Sequence, residues 1–193
     1  MIQPVVKLRF VERYCNPSEG WSVFVDIDAS EEGRTGSERQ TAGARARHDR
    51  VLTEAPKALR DLTQVGAFVG DRKRKWNAHF GNQVPLAKGD RDIMAVHQAK
   101  RLFWIAEIEG DSGGQPEGKI YKALGQLVCA VTESRLQGFQ TLFSLVVWGE
   151  QPCTHLARAV AVAQLGVSGL VVGETRADDR WLFGRPVHLG AST

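Results

Sequence analysis

Apolar residues in this chain fall into short runs bounded by charged and turn-forming residues, and the densest pair of runs lies between Gly89 and Gln126. The stretch reads as strand, tight turn, strand, loop and helix. The first strand is Asp92–Val96, apolar after its leading Asp. The second is Leu102–Ala106, more apolar still, closing on Glu107-Ile108-Glu109. Side chains alternate between faces along a strand. Glu107 and Glu109 therefore share one face, while Ile108 points into packing on the other. After the loop Gly110–Pro116, Ile120, Leu124, Leu127 and Val131 recur at helical spacing. Pro116 suits the first position of such a helix, and Glu117 suits its first turn. Lys119, Lys122 and Gln126 lie together on a flanking edge of it.

The same pattern reading extends to both ends. Val5–Tyr14 and Trp21–Ile27 read as two strands joined by the turn Asn16-Pro17-Ser18-Glu19-Gly20, an N-terminal β-hairpin. Ser30–Gln40 is polar and Gly-containing, a loop. Thr41–Gln64 is rich in Ala, Arg and Leu, with a helical stripe of Val51, Leu52, Ala55, Leu59 and Leu62. Pro56 lies inside it and either kinks the helix or divides it. Arg45, Arg47, Arg50, Lys57 and Arg60 decorate the other faces, as a solvated face by default or, alternatively, as a phosphate-facing one. Ala67–Val69 is a short strand, and Phe80–Lys88 is a loop leading into Asp92. Thr141–Trp148 has little polar relief and reads as a central strand. Thr154 caps a helix through Leu165 that Gly166 ends. The apolar residues of that helix surround nearly its whole circumference, which suits packing against the sheet and against another subunit. Gly169–Val172 is a last strand, and Trp181, Leu182 and Phe183 anchor a polar tail. The expectation is one α/β domain over residues 1–193, a mixed central sheet flanked by helices. Within it, residues 1–30 form the hairpin extension, 41–150 the core, and 151–193 a C-terminal helix, strand and tail.

Composition narrows the classes. The chain has 193 residues, 42% hydrophobic and 24% charged, enough for one core and ordinary for a globular protein. No apolar run approaches the roughly 20 residues of a membrane helix. The segment Met1–Tyr14 lacks the apolar core of a signal peptide, so a cytoplasmic protein with no membrane partner is expected. Cys15, Cys129 and Cys153 are far apart and in no C-x-x-C pair, which reads as reduced thiols packed in the fold. The His residues show no metal-ligand spacing, and no Ser or Cys sits in a nucleophile motif. A net charge of +3 is too small to argue for nucleic acid, so its distribution matters more. Four consecutive basic residues, Arg72, Lys73, Arg74 and Lys75, precede Trp76. They read either as a charged hairpin tip that keeps a sheet edge soluble, or as a phosphate contact with Trp76 stacking on a base or sugar.

Candidate chemistry concentrates at Glu107 and Glu109. Two carboxylates on one face at the end of a buried run are costly unless something positive sits between them. A hard divalent cation with oxygen ligands meets that need. Asp92, opening the neighbouring strand, can supply a third carboxylate. Asp90 is the other acidic residue there, and Asp92 is preferred because it directly precedes the apolar run. Asp26 and Asp28 form a rival pair, read as a strand end meeting a polar loop.

An Asp opening one strand, fourteen intervening residues and Glu-x-Glu on the next strand resemble the PD-(D/E)XK nuclease superfamily. The likeness runs from the helix near Thr41 to the strand ending at Trp148. Lys119, Tyr121, Lys122 and Gln126 resemble the polar positions that some branches place after the signature. Glu109 stands where the superfamily usually has Lys. Some of its restriction enzymes also carry Glu there, and others have moved the Lys to the following helix. The resemblance implies a restriction-endonuclease-like α-β-β-β-α-β core that hydrolyses DNA phosphodiesters with Mg²⁺, for which Mn²⁺ substitutes. It implies Asp92, Glu107 and the backbone carbonyl of Ile108 as metal ligands, and Glu109 as either a ligand or the acceptor of a proton from water. It implies Lys119 or Lys122 as the cation that stabilises developing negative charge. Lys122 and Gln126 are alternatively contacts to the flanking phosphate or the metal shell. Glu54 is a further helix carboxylate of the kind such nucleases sometimes add. A homodimer suits double-strand cutting, because one site faces one strand. The rival from another class is a module that keeps the fold and serves nucleic-acid binding or complex assembly without cutting. A third reading is hydrolysis of RNA or small phosphoesters.

Overall fold

Seven strands form one sheet in a computed structural model that describes residues 1–27, 42–81, 91–110 and 116–187. The expected loops over 30–40, 82–88 and 111–115, and the candidates Asp28 and Asp90, lie outside the described residues. In chain order the strands are β1 (Ser22–Val25), β2 (Phe68–Val69), β3 (Ile93–His97), β4 (Leu102–Glu109), β5 (Gln140–Val147), β6 (Val167–Val171) and β7 (Arg180–Phe183). The helices are α1 (Gln3–Tyr14), α2 (Ala42–Gln64), α3 (Arg72–Phe80), α4 (Pro116–Glu133) and α5 (Glu150–Arg158). Strand order across the sheet is β2-β1-β3-β4-β5-β6-β7. β1, β3 and β4 run antiparallel in turn, and β5 and β6 continue parallel to β4. The edge strands are β2, parallel to β1, and β7, antiparallel to β6. The sheet is thus mixed and flanked by helices, as the hydropathy pattern predicts.

Alternation along β4 sorts the core into two halves. Phe103, Ile105 and their cross-strand neighbours Met94 and Val96 pack with Trp76 and Phe80 of α3, Ile120, Leu124 and Leu127 of α4, and Leu156 of α5. Trp104, Ala106 and Ile108 pack on the opposite face with Val6, Phe10 and Tyr14 of α1 and Leu62 of α2. Burying large side chains on both faces makes β3, β4 and β5 near-continuous apolar runs. A small polar cluster inside the second half is internally paired: Trp104 Nε1 donates to Ser144 Oγ at 2.8 Å, and that hydroxyl lies 2.6 Å from Ser168 Oγ.

Four expectations are corrected. The last strand is β7, not Gly169–Val172: the apolar residues of the expected tail pair antiparallel with β6, Trp181 opposite Leu170 and Phe183 opposite Gly169. The N-terminal hairpin is absent, because Val5–Tyr14 belongs to the helix α1 and only β1 survives as a strand. The β-branched residues of this segment favour strand in isolation. Tertiary burial of Ile2, Val6, Phe10 and Tyr14, each four residues apart, selects the helix instead. The hairpin tip at Arg72–Lys75 is likewise a helix, α3, opened by Asp71, whose side chain accepts from Arg74 N. Thr154 lies inside α5, which starts after Gly149, and a 3₁₀ segment continues from Val160 to Leu165. The expected Thr41–Gln64 helix is continuous through Pro56. Cys15 is buried as expected, Cys153 is half-buried, and Cys129 is exposed.

The correction at α1 changes the outline of the central unit. The sequence α1-β1-β3-β4-α4-β5 forms a helix, three successively antiparallel strands, a second helix and a strand parallel to the third. The expected core begins with the helix near Thr41. In the structure a helix at Gln3–Tyr14 precedes β1, and α2, β2 and α3 lie between β1 and β3 in the chain.

Candidate active site

The register of β3 and β4 places the acidic residues. Ile93 pairs with Ala106, so one further step sets Asp92 opposite Glu107. The backbone ladder stops there, and the Asp92 side chain extends it: Oδ2 accepts from Ile108 N at 2.8 Å. Its other oxygen, Oδ1, lies 2.8 Å from Lys7 Nζ and accepts from Gln3 Nε2 at 3.2 Å. Gln3 and Lys7 are one turn apart on the same face of α1, which is why both reach one carboxylate. Lys7 also donates to the Asp26 carbonyl at 2.8 Å, and Asp26 N donates to the Asp92 carbonyl at 2.9 Å. The ends of β1, β3 and β4 are thereby tied to the start of α1. Gly110 permits this approach, since a Cβ there would lie 2.5 Å from Gln3 N.

Glu107 is 5% exposed and lies on the α4 side of the sheet. The Arg91 guanidinium stands 3.6 Å from its Oε1, and that buried oxygen accepts no hydrogen bond from the described residues. Burial pushes the Glu107 carboxyl well above the usual carboxylate range, and the neighbouring negative charge of Asp92 adds to the push. Arg91 and Lys7 oppose it without cancelling it. Glu109, two residues on and half-buried, shares the face as the alternation predicts. Burial lifts it to about 7, against the pull of Lys119 first and Lys122 second. Both lysines are exposed on α4, and Gln126 lies two turns beyond Lys119, half-buried. Lys119 therefore acts on Glu109 more strongly than Lys122, in line with its place one turn closer to β4.

The remaining candidates divide. Arg72 is 8% exposed and donates to the Arg91 carbonyl at 2.8 Å. Trp76 is fully buried among Phe24, Phe80 and Phe103. Neither offers a surface to a base or phosphate, which corrects that expectation: an exposed tip would present both side chains, whereas the helical turn folds them inward. Lys75 is half-buried and donates to the Val69 carbonyl, leaving Lys73 and Arg74 as the exposed part of the run. Glu54 accepts from Arg50 Nε at 3.0 Å, an ion pair within α2. Among the described residues, no three His, Cys, Asp or Glu side chains converge tightly enough to hold one metal ion.

The sequence pattern missed Gln3, Lys7 and Arg91. A signal for Lys7 existed: with Phe10, Val11 and Tyr14 it forms a stripe at i, i+3, i+4 and i+7, so a charge stands on the buried face of an apolar helix. Such a charge needs a partner, and Asp92 is that partner. No family model matches this chain, and neither the curated proteins nor the solved structures contain a match.

Proposed function

We propose that this protein is a metal-dependent phosphodiesterase acting on DNA, an endonuclease with a restriction-endonuclease-like core built on α1-β1-β3-β4-α4-β5. The observation that carries the reading is the meeting of Asp92 and buried Glu107 across the ends of two antiparallel strands, with one Glu107 oxygen lacking a hydrogen-bond donor among the described residues. An orphaned buried carboxylate oxygen beside a second carboxylate fits a hard divalent cation such as Mg²⁺ or Mn²⁺. Asp92, Glu107 and the Ile108 carbonyl are the groups that would hold it. Bound there, the cation would activate water and neutralise charge on the phosphate undergoing attack. Glu109, poised near neutrality at about 7, is suited to take the proton from the attacking water. Lys119, with Lys122 behind it, presents positive charge beside Glu109 and supplies the cation absent from the motif position. Lys73 and Arg74 lie on α3, which packs on the same face of the sheet as α4, and extend the basic surface toward a DNA backbone.

One observation favours the second reading, a module that binds nucleic acid or assembles a complex without cutting it. Asp92 Oδ1 is already bound by an ammonium and an amide, and Arg91 faces Glu107. A screen of duplex DNA, single-stranded DNA, RNA and a nucleotide diester, each with Mg²⁺ or with EDTA, separates the readings. Metal-dependent cleavage of duplex DNA is the expected result. Duplex binding without cleavage of any substrate supports the module instead.

A further inference from the structure

Lys7 contributes an ammonium that is wholly removed from solvent, on a helix outside the strand-and-loop segment that carries the carboxylates. A buried ammonium is unfavourable unless paired and hydrogen-bonded. Here it touches Asp92 Oδ1 and the Asp26 carbonyl, each at 2.8 Å. The lone pairs of Asp92 are then largely committed. Oδ1 serves Lys7 and Gln3, and Oδ2 serves Ile108 N. A carboxylate offers about four acceptor positions, which leaves room for a further partner on Oδ2. Through that position Asp92 can serve a second cation without displacing Lys7.

We propose that Lys7 is a positioning and charge-balancing residue that limits the affinity of the Asp92–Glu107 site for divalent cations. The proposal rests on the metal-dependent reading of that site. Lys7 fixes Asp92 in a one-oxygen donor geometry, and its charge, 2.8 Å from the carboxylate, repels an incoming dication. In the metal-free protein it supplies the positive charge that two adjoining carboxylates require. α1 is therefore part of the site, and Gly110, which lets α1 approach the end of β4, maintains that contact.

The test is Mn²⁺ binding to the full chain by titration calorimetry, with Mg²⁺ in parallel, for the parent, Lys7→Met and Lys7→Gln. Lys7→Met keeps the stem and removes the charge. Lys7→Gln in addition retains a donor for the Asp26 carbonyl, which guards against a failure to fold. The expected result is a Mn²⁺ dissociation constant lowered roughly tenfold or more in both variants, and parental in Lys7→Arg. Thermal melting separates this from a merely structural role. The variants should melt below the parent without metal, and the gap should close as Mn²⁺ is added. An unchanged or weakened Mn²⁺ affinity, with a melting gap that stays constant or widens as Mn²⁺ is added, overturns the proposal while leaving the metal-dependent reading intact. Mn²⁺ binding by the variants but not by the parent supports the proposal and removes the parent's metal-dependent activity. Binding by none of the proteins overturns both.

Discussion

Two helices flank the acidic end of the sheet, and they present their lysines in opposite ways. On the α1 side, Lys7 is fully buried and fixed to Asp92 and the Asp26 carbonyl. On the α4 side, Lys119 and Lys122 are exposed and act on half-buried Glu109. A cation locked into the protein sets the resting charge of the site and has no reach toward a substrate. A cation on a solvated stem contributes little to stability, yet it can follow a phosphate that arrives from outside. Under the proposed function, the difference separates residues that would hold the site from those that would meet its ligand.

Disrupting the buried side should have the largest effect on stability. Asp92→Ala removes the carboxylate that lies 2.8 Å from the Lys7 ammonium, and breaking a buried pair in this way costs about 3–5 kcal/mol. Denaturant unfolding of the metal-free protein should show that loss, whereas Lys119→Met should stay within about 0.5 kcal/mol of the parent. Equal stabilities for the two variants would erase the contrast. Asp92 is for the same reason a poor position at which to test chemistry, because its removal mixes folding with function.

The exposed side should show its effect in rate. Removing an oriented cation that stabilises developing charge slows a reaction on the order of a hundredfold. Lys119→Met is expected to show that loss in cleavage of duplex DNA under saturating Mg²⁺, with a smaller loss for Lys122→Met. The reverse order moves the role one turn along α4. No loss in either variant assigns charge neutralisation to the metal together with Glu109. The smallest effect belongs to α3. Replacing Lys73 and Arg74 by Gln should weaken duplex binding and reduce the slope of log affinity against log salt by roughly 0.9 for each phosphate no longer neutralised. An unchanged slope returns them to the role of solvated charge.

The strands from β3 to β6 were legible because their apolar runs are short, dense and bounded by turn residues, whereas β7 read only as an apolar anchor of the tail; the shared face of Glu107 and Glu109 follows from alternation alone. The pairing of Asp92 with Glu107 was suggested by the strand order, though only the register makes it definite. Two helices were misread for different reasons. In α1 the β-branched residues and the following turn outweighed the four-residue spacing of Ile2, Val6, Phe10 and Tyr14. In α3 four basic residues hid the fact that Arg72, Trp76 and Phe80 share one buried helical face. The roles of Lys7 and Arg91 escaped for a third reason: the helical stripe marks Lys7 as a buried charge, but its contact with Asp92 is distant in sequence and forms only once α1 lies across the end of the sheet.

The most direct measurement is Mg²⁺-dependent cleavage of duplex DNA by the parent and by Glu107→Gln, with melting temperature recorded for both. Gln keeps the size and polarity of the side chain and removes its negative charge, and among the described residues no buried cation pairs with Glu107 as closely as Lys7 does with Asp92. Cleavage by the parent, its near-complete loss in Glu107→Gln, and a melting temperature at or above the parental value are the predicted results. Cleavage by Glu107→Gln at the parental rate would contradict the assignment of this carboxylate pair as the site of chemistry.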